Sequence, residues 1–247
     1  MDEVGVGMDG QRGLSQVERV VNTFVAPTAT FKDILRSTSW WLPFVLLVVS
    51  SVATAFVVDR KVGFDRAFDN QVRMSQSAQE RMAELTPAQK AQTVKIQVEV
   101  TKYISYGSFA MIAIFLAIYS LILWASFNVG LGASTKFGQV FAVTMYSALP
   151  YLLTALLTIL ALTLGGNAEG YDYKNPVGTN MGYYLPDAAP WLRGLLSSFD
   201  VVKLWSLVLQ AMGMAIIAKK KIAQSAIVVG IFWLIGVVVT VAGSAFS

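Results

Sequence analysis

Uninterrupted apolar runs, rather than alternating or helix-period patterns, dominate this chain. Charge-free stretches cover residues 37–58 (22 residues), 103–135 (33), 137–168 (32) and 222–247 (26). Each exceeds or matches the roughly 20 helical residues that cross a bilayer. A fifth, 204–218, has only 15 residues, so it spans if Asp200 and Lys203 sit at a water interface. The pattern predicts an all-α, polytopic transmembrane helical bundle with five spans, at about 40–58, 103–129, 139–164, 200–218 and 222–246.

Between the runs the polar segments are of different kinds. Residues 1–36 form an N-terminal segment in which Val17, Val20, Val21, Phe24 and Val25 follow helical spacing; that amphipathic helix would lie on a membrane surface or pack against the protein's own loops. Ala26-Pro27-Thr28 breaks it and starts a second helix. Trp40 and Trp41 mark the interface before the first span, and Pro43 falls in its first turn, where proline costs little. Residues 59–102 are a polar helical insertion with eight basic and six acidic side chains in 44 positions. There, residues 64–85 read as one helix, and Thr86-Pro87-Ala88-Gln89 as an N-cap with proline at the first helical position. With no Gly or Pro until Gly107, the helix from Pro87 is expected to run on into the membrane to Val129, roughly 65 Å in all. Pro150 is a candidate kink within the third span, felt near Tyr146. Gly165-Gly166-Asn167 stops that helix and opens an external loop, 165–199, in which 191–199 read as a short interfacial helix. Lys219-Lys220-Lys221 leaves only a tight turn between the last two spans.

Composition sharpens this reading. Of 247 residues, 55% are apolar and 14% charged, against about a quarter charged in ordinary soluble domains. With no Cys and no His, disulfides, thiol nucleophiles, palmitoyl-cysteine, imidazole bases and the usual zinc sites are excluded. Residues 1–13 are polar and glycine-rich, unlike a secretory signal peptide.

Lys and Arg in short loops favour the cytoplasmic side. With five spans, one side receives Arg12, Arg19, Lys32, Arg36, Lys136 and the triple lysine. The other receives the long, mixed-charge insertion, Lys174, Arg193 and Lys203. The totals nearly balance, but the triple lysine lies close to the membrane, which places the N-terminus in the cytoplasm and the C-terminus outside.

The fourth span carries the candidate functional or packing face: Asp200, Lys203, Ser206, Gln210 and Gly213 recur at helical spacing. Polar groups inside a membrane mark functional sites by default, yet Asp200 and Lys203 lie in the first turn, where both reach interfacial water. Interface anchoring with an Asp–Lys pair, a substrate or proton path, and partner contact are the readings open. Tyr119, Asn128, Thr144, Tyr146, Ser147, Thr154 and Thr158 supply interhelical hydrogen bonds. Gly230, Gly236 and Gly243 would allow close helix contact along the last span. Asp59, Asp65 and Asp69 alternate with Arg60, Lys61 and Arg66 as a solvated face rather than a metal site. Catalytic, cofactor-binding and metal residues: none is expected, and no nucleic-acid partner.

Pro27, Phe31, Ile34, Trp41 and Pro43, then Phe137, Gln139, Tyr146 and Pro150, then Asp200, Trp205, Leu209 and Gly213 resemble the Yip-domain family, Ypt/Rab-interacting five-span membrane proteins with many bacterial relatives. The resemblance runs from Pro27 to the C-terminus and includes the Thr86-Pro87-Ala88-Gln89 helix start. It implies an integral membrane protein with a cytosolic N-terminus. Eukaryotic members look like vesicle-traffic adaptors that bind prenylated GTPases; here the N-terminal segment is short and lacks their acidic, aromatic-rich tail, which argues against GTPase binding. The chain looks closer to bacterial members. The expectation is a non-enzymatic scaffold or adaptor in a bacterial inner (plasma) membrane, with membrane lipids and other membrane proteins as partners and a homo- or hetero-oligomer permitted. The alternative is a transporter or permease component using the fourth-span face.

Overall fold

A computed structural model describes residues 13–165 and 168–245. All regular elements among them are helical. Two short helices, α1 (Gln16–Val25) and α2 (Pro27–Ile34), precede the first span, α3 (Trp41–Lys61). The insertion forms α4 (Phe64–Arg73), α5 (Gln76–Ala83) and the start of α6 (Pro87–Ala125), which ends in a π-helical turn, Ser126–Gly130. The third span is made by α7 (Phe137–Ser147) and α8 (Tyr151–Thr163). A 3-10 turn (Met181–Tyr184) and α9 (Pro190–Ser198) lie in the next loop, followed by α10 (Val201–Ala218) and α11 (Ile222–Ala245). Five segments are long and apolar enough to cross a membrane: Trp41–Lys61, Ala110–Gly130, Phe137–Thr163, Val201–Ala218 and Ile222–Ala245. The Gly166-Asn167 part of the expected helix stop, the polar residues 1–12 and Ser247 lie outside the described residues.

Local chemistry sets the helix boundaries. Ser15 and Glu18 form a reciprocal capping box on α1, Glu18 accepting from the Ser15 N–H at 2.6 Å, and Thr86 and Gln89 do the same on α6, each satisfying orphan N–H groups of a first turn. Ala26 cannot continue α1 because Pro27 disfavours the helical conformation in the residue before it, and Pro27 opens α2. The helix expected over 64–85 is in fact two: Ser75 is extended and its hydroxyl accepts from the Ala78 N–H, so a residue that reads as mid-helix acts as an N-cap. The helix from Pro87 is continuous for 39 residues, about 58 Å. At Lys219 the chain turns out of α10 with a φ of 52°, a left-handed conformation usually left to glycine.

Around Pro150 the third span breaks rather than bends. The Ala148, Leu149, Tyr151 and Leu152 N–H groups make i→i−3 bonds through the break, since proline has no N–H to continue the ladder.

The core lies where α2, α7 and α10 meet. Phe31 and Ile34 of α2, Val143 and Tyr146 of α7, and Leu209 and Met214 of α10 are all buried in one cluster. The third and fourth spans are the most buried and the last is the most exposed. Helix α1 packs its Val20 and Phe24 against that cluster, Phe24 edge-on to Trp205 at 5.6 Å, while Val17, Val21 and Val25 form an exposed stripe. The expected single apolar face is thus divided, and the residues buried deepest on α1 are polar: Arg19 and Thr23.

Candidate functional site

Asp200, in the extended conformation just before α10, caps that helix: its Oδ1 accepts from the Val202 and Lys203 N–H groups at 2.9 and 3.0 Å. Its Oδ2 accepts from the Thr179 hydroxyl and from Asn180 Nδ2 at 3.2 Å. Asn180 in turn pairs with Asn175. Asp200 therefore bolts the loop between the third and fourth spans to the start of the fourth. Its carboxylate makes no direct contact with the Lys203 ammonium and acts on it through space, while its direct bonds go to the α10 backbone and the preceding loop.

The other polar residues of α10 separate by role. Ser206 donates to the Ser147 carbonyl at 2.6 Å; that carbonyl faces the break before Pro150, where the Tyr151 N–H is taken by Ala148. Gln210, buried, donates to Thr144 Oγ1 at 3.5 Å, and Ser120 donates to the same oxygen at 3.0 Å. Gly213 lets α10 close on its neighbours, since a Cβ there would stand 2.5 Å from Val143 Cγ1 and 2.9 Å from Phe31 Cδ1. By contrast, Gly230, Gly236 and Gly243 have no heavy atom within 4 Å of a built Cβ. The close contacts expected of the last-span glycines are not made within the chain.

Lys203, Ser206 and Gln210 line an open-sided cavity of about 970 Å³ bordered by residues of all five spans. Its other polar walls are hydroxyls, such as Ser50, Thr54, Thr154 and Thr158, and its far wall is aromatic, with Phe115 and Trp233. Tyr171 and Tyr173, from the loop between the third and fourth spans, border it too. Burial raises the phenol of Tyr171, and burial, with Asp59 and Tyr106 nearby, pushes Tyr173 up to about 12. Both stay neutral at physiological pH. Asp200 and Gly213 do not line the cavity, so the five-residue face resolves into a loop bolt, a helix contact and three cavity-wall residues.

A second polar centre escaped the reading of the sequence. Arg19 is completely buried and meets Asp33 through Nε at 2.6 Å and Nη2 at 2.5 Å. Its Nη1 donates to the Ser39 carbonyl, and Arg36 grips the same carboxylate from the solvent side. Tyr146 donates to Gln16 Oε1 at 2.9 Å beside them. Burial works to raise Asp33, but the hydrogen bonds and charges of Arg36 and Arg19 outweigh it and hold the carboxyl below the usual carboxylate range. Among the described residues no group of three or more metal-ligating side chains stands together.

An all-helical chain with five candidate membrane-crossing helices and a hollow between them defines a polytopic integral membrane protein. The Yip1 domain family model matches residues 21–243, and the chain belongs to that family. That match begins inside α1 and so takes in Phe31, Ile34, the insertion and all five spans. Neither the curated proteins nor the solved structures yield a match.

Proposed function

We propose that this protein is a non-enzymatic adaptor or scaffold for other membrane proteins, in a bacterial inner membrane, with its N-terminus cytoplasmic and its C-terminus external. One observation carries the reading. On the part of α6 that precedes the apolar span, Ile96, Val100, Tyr103 and Ile104 are exposed by 50%, 44%, 78% and 50%. They stand at i, i+4, i+7 and i+8, the spacing by which a helix presents anchors to a partner's groove. Lys95, Glu99 and Lys102 flank the stripe and offer a charged rim.

The test is affinity purification of tagged protein in mild detergent, comparing wild type with the Val100→Lys, Tyr103→Lys pair and with a deletion of residues 63–85. A stoichiometric partner recovered with wild type and lost with the lysine pair supports an adaptor. The same complement of proteins from wild type and variant would remove the stripe from consideration.

The cavity favours a second reading, a permease component. It requires Lys203→Ala to end flux of a solute while assembly is unchanged. Asp200→Asn would not separate transport from folding, because Asp200 holds the loop to α10.

A further inference from the structure

The surface of the cavity is mainly apolar, its polar groups are mostly neutral hydroxyls, and Lys203 is the only charged side chain among the described residues that line it. Lys203 also borders a second hollow, of about 620 Å³, between the insertion, the external loop and α9, where Met74, Asp172 and Arg193 line the wall. The lysine thus stands where an apolar chamber meets a polar one. The two acids near it are engaged elsewhere: Asp172 pairs with Arg193 at 3.0 Å, and Asp200 caps α10 and holds Thr179 and Asn180. The half-buried Lys203 ammonium has no direct hydrogen bond or ion pair among the described residues, and the Asp200 charge acts on it only through space. Ser206 and Gln210, by contrast, are already bonded to Ser147 and Thr144.

A cation with no direct partner, taken partly out of water, calls for an anion in contact with it, and a mainly apolar chamber of this size, at the top of the usual range of about 300–1,000 Å³ for ligand pockets, calls for hydrocarbon. A membrane supplies both in one molecule. We propose that the cavity holds an anionic glycerophospholipid, with its phosphate against Lys203 and an acyl chain among the spans, beside Phe115 and Trp233. A neutral lipid would fill the chamber and leave the charge unanswered; free phosphate would answer the charge and leave the chamber empty. The inference concerns what occupies the cavity, and stands whether the protein moves its ligand or holds it.

The full chain, reconstituted in nanodiscs of phosphatidylcholine with or without phosphatidylglycerol and released for native mass spectrometry, provides the test. Wild type should retain a single phosphatidylglycerol in preference to phosphatidylcholine. Lys203→Gln should weaken retention about tenfold, equivalent to about 1.4 kcal/mol, and Lys203→Arg should restore it. Gly236→Leu, whose side chain enters open space at the cavity wall, should also expel the lipid with Lys203 intact. Variants count once their elution and thermal transitions match wild type, and the two sites keep the test decisive if one variant fails to fold. Equal retention of both lipids, undiminished retention in folded Lys203→Gln and Gly236→Leu proteins, or displacement by millimolar inorganic phosphate alone would each overturn the proposal. Loss of a protein partner in the α6 variants is a separate readout and leaves this one untouched.

Discussion

Arg19 and Asp33 form a buried ion pair, Nη2 to Oδ2 at 2.5 Å, that ties α1 to the end of α2. The pair is walled by the Ser39 carbonyl on one side and Arg36 on the other. Thr23 and Thr30 both donate to the Arg19 carbonyl, at 2.8 and 2.9 Å, so the backbone at Arg19 is held as firmly as its side chain.

Removing one partner of a buried pair leaves the other charge uncompensated and costs about 3–5 kcal/mol, whereas replacing both by apolar groups is often neutral. Asp33→Leu, which leaves the buried Arg19 with no carboxylate, should therefore lower the thermal transition in detergent markedly, followed by helical circular dichroism. Arg19→Met combined with Asp33→Leu should recover most of the loss. An unchanged transition in the single variant would show that the pair contributes no stability.

The pair also sets a pH dependence. The folded Asp33 carboxyl lies below its unfolded value of about 3.9, so its contribution is complete above about pH 5 and is lost as pH falls through the lower, folded value. The stability difference between wild type and Asp33→Asn should be flat from about pH 5 to 8 and shrink in acid. A difference that grows in acid would reverse the assignment.

Two glycines on neighbouring spans should respond in opposite directions. Gly213→Ala forces a Cβ against Val143 and Phe31, and overpacking of this kind costs about 1–3 kcal/mol. Gly236→Ala meets nothing and should gain up to about 1 kcal/mol from helix propensity. Thermal unfolding of the two variants side by side decides it.

Asn128 closes the turn between the second and third spans. Its side chain donates to the Thr135 carbonyl at 2.9 Å and accepts from the Thr135 N–H at 2.9 Å, and Trp124 Nε1 donates to that carbonyl as well. Asn128→Leu strands the Thr135 N–H, at a cost of about 1–3 kcal/mol. Hydrogen exchange should accelerate at Thr135 well before it does in α7.

The absence of cysteine from the sequence makes orientation directly measurable. A membrane-impermeant maleimide applied to intact cells should label Ala83→Cys in the insertion and spare Lys221→Cys in the last turn. The reverse pattern would invert the proposed topology.

Four of the spans were legible because run length alone identifies them, the fourth in the chain needed Asp200 and Lys203 to be placed at an interface, and the start of α6 was legible because the Thr86–Gln89 box is local. What the sequence concealed depends on distant partners. Arg19 counts among the interfacial basic residues until Asp33, fourteen positions on, is seen to face it. The available signal was that Arg19 and Thr23 share a helical face opposite an acid flanked by Lys32 and Arg36. The spacing of Ser206 and Gln210 was plain. That Ser206 would serve a carbonyl freed near Pro150 is a property of two spans packed together. Ser75 looked like any polar helical residue, because its capping role rests on a backbone dihedral.

The packing of α2 against α10 also bears on the order of synthesis. Phe31 touches the site of Gly213, a residue translated about 180 positions later, so at about 5–20 residues per second the pocket that receives Phe31 is missing for roughly ten to forty seconds. The Arg19–Asp33 pair, whose bonding partners all precede α10, can close before then, so a chain stalled or misinserted before α10 keeps its α1–α2 joint and leaves Phe31 without the helix that covers it.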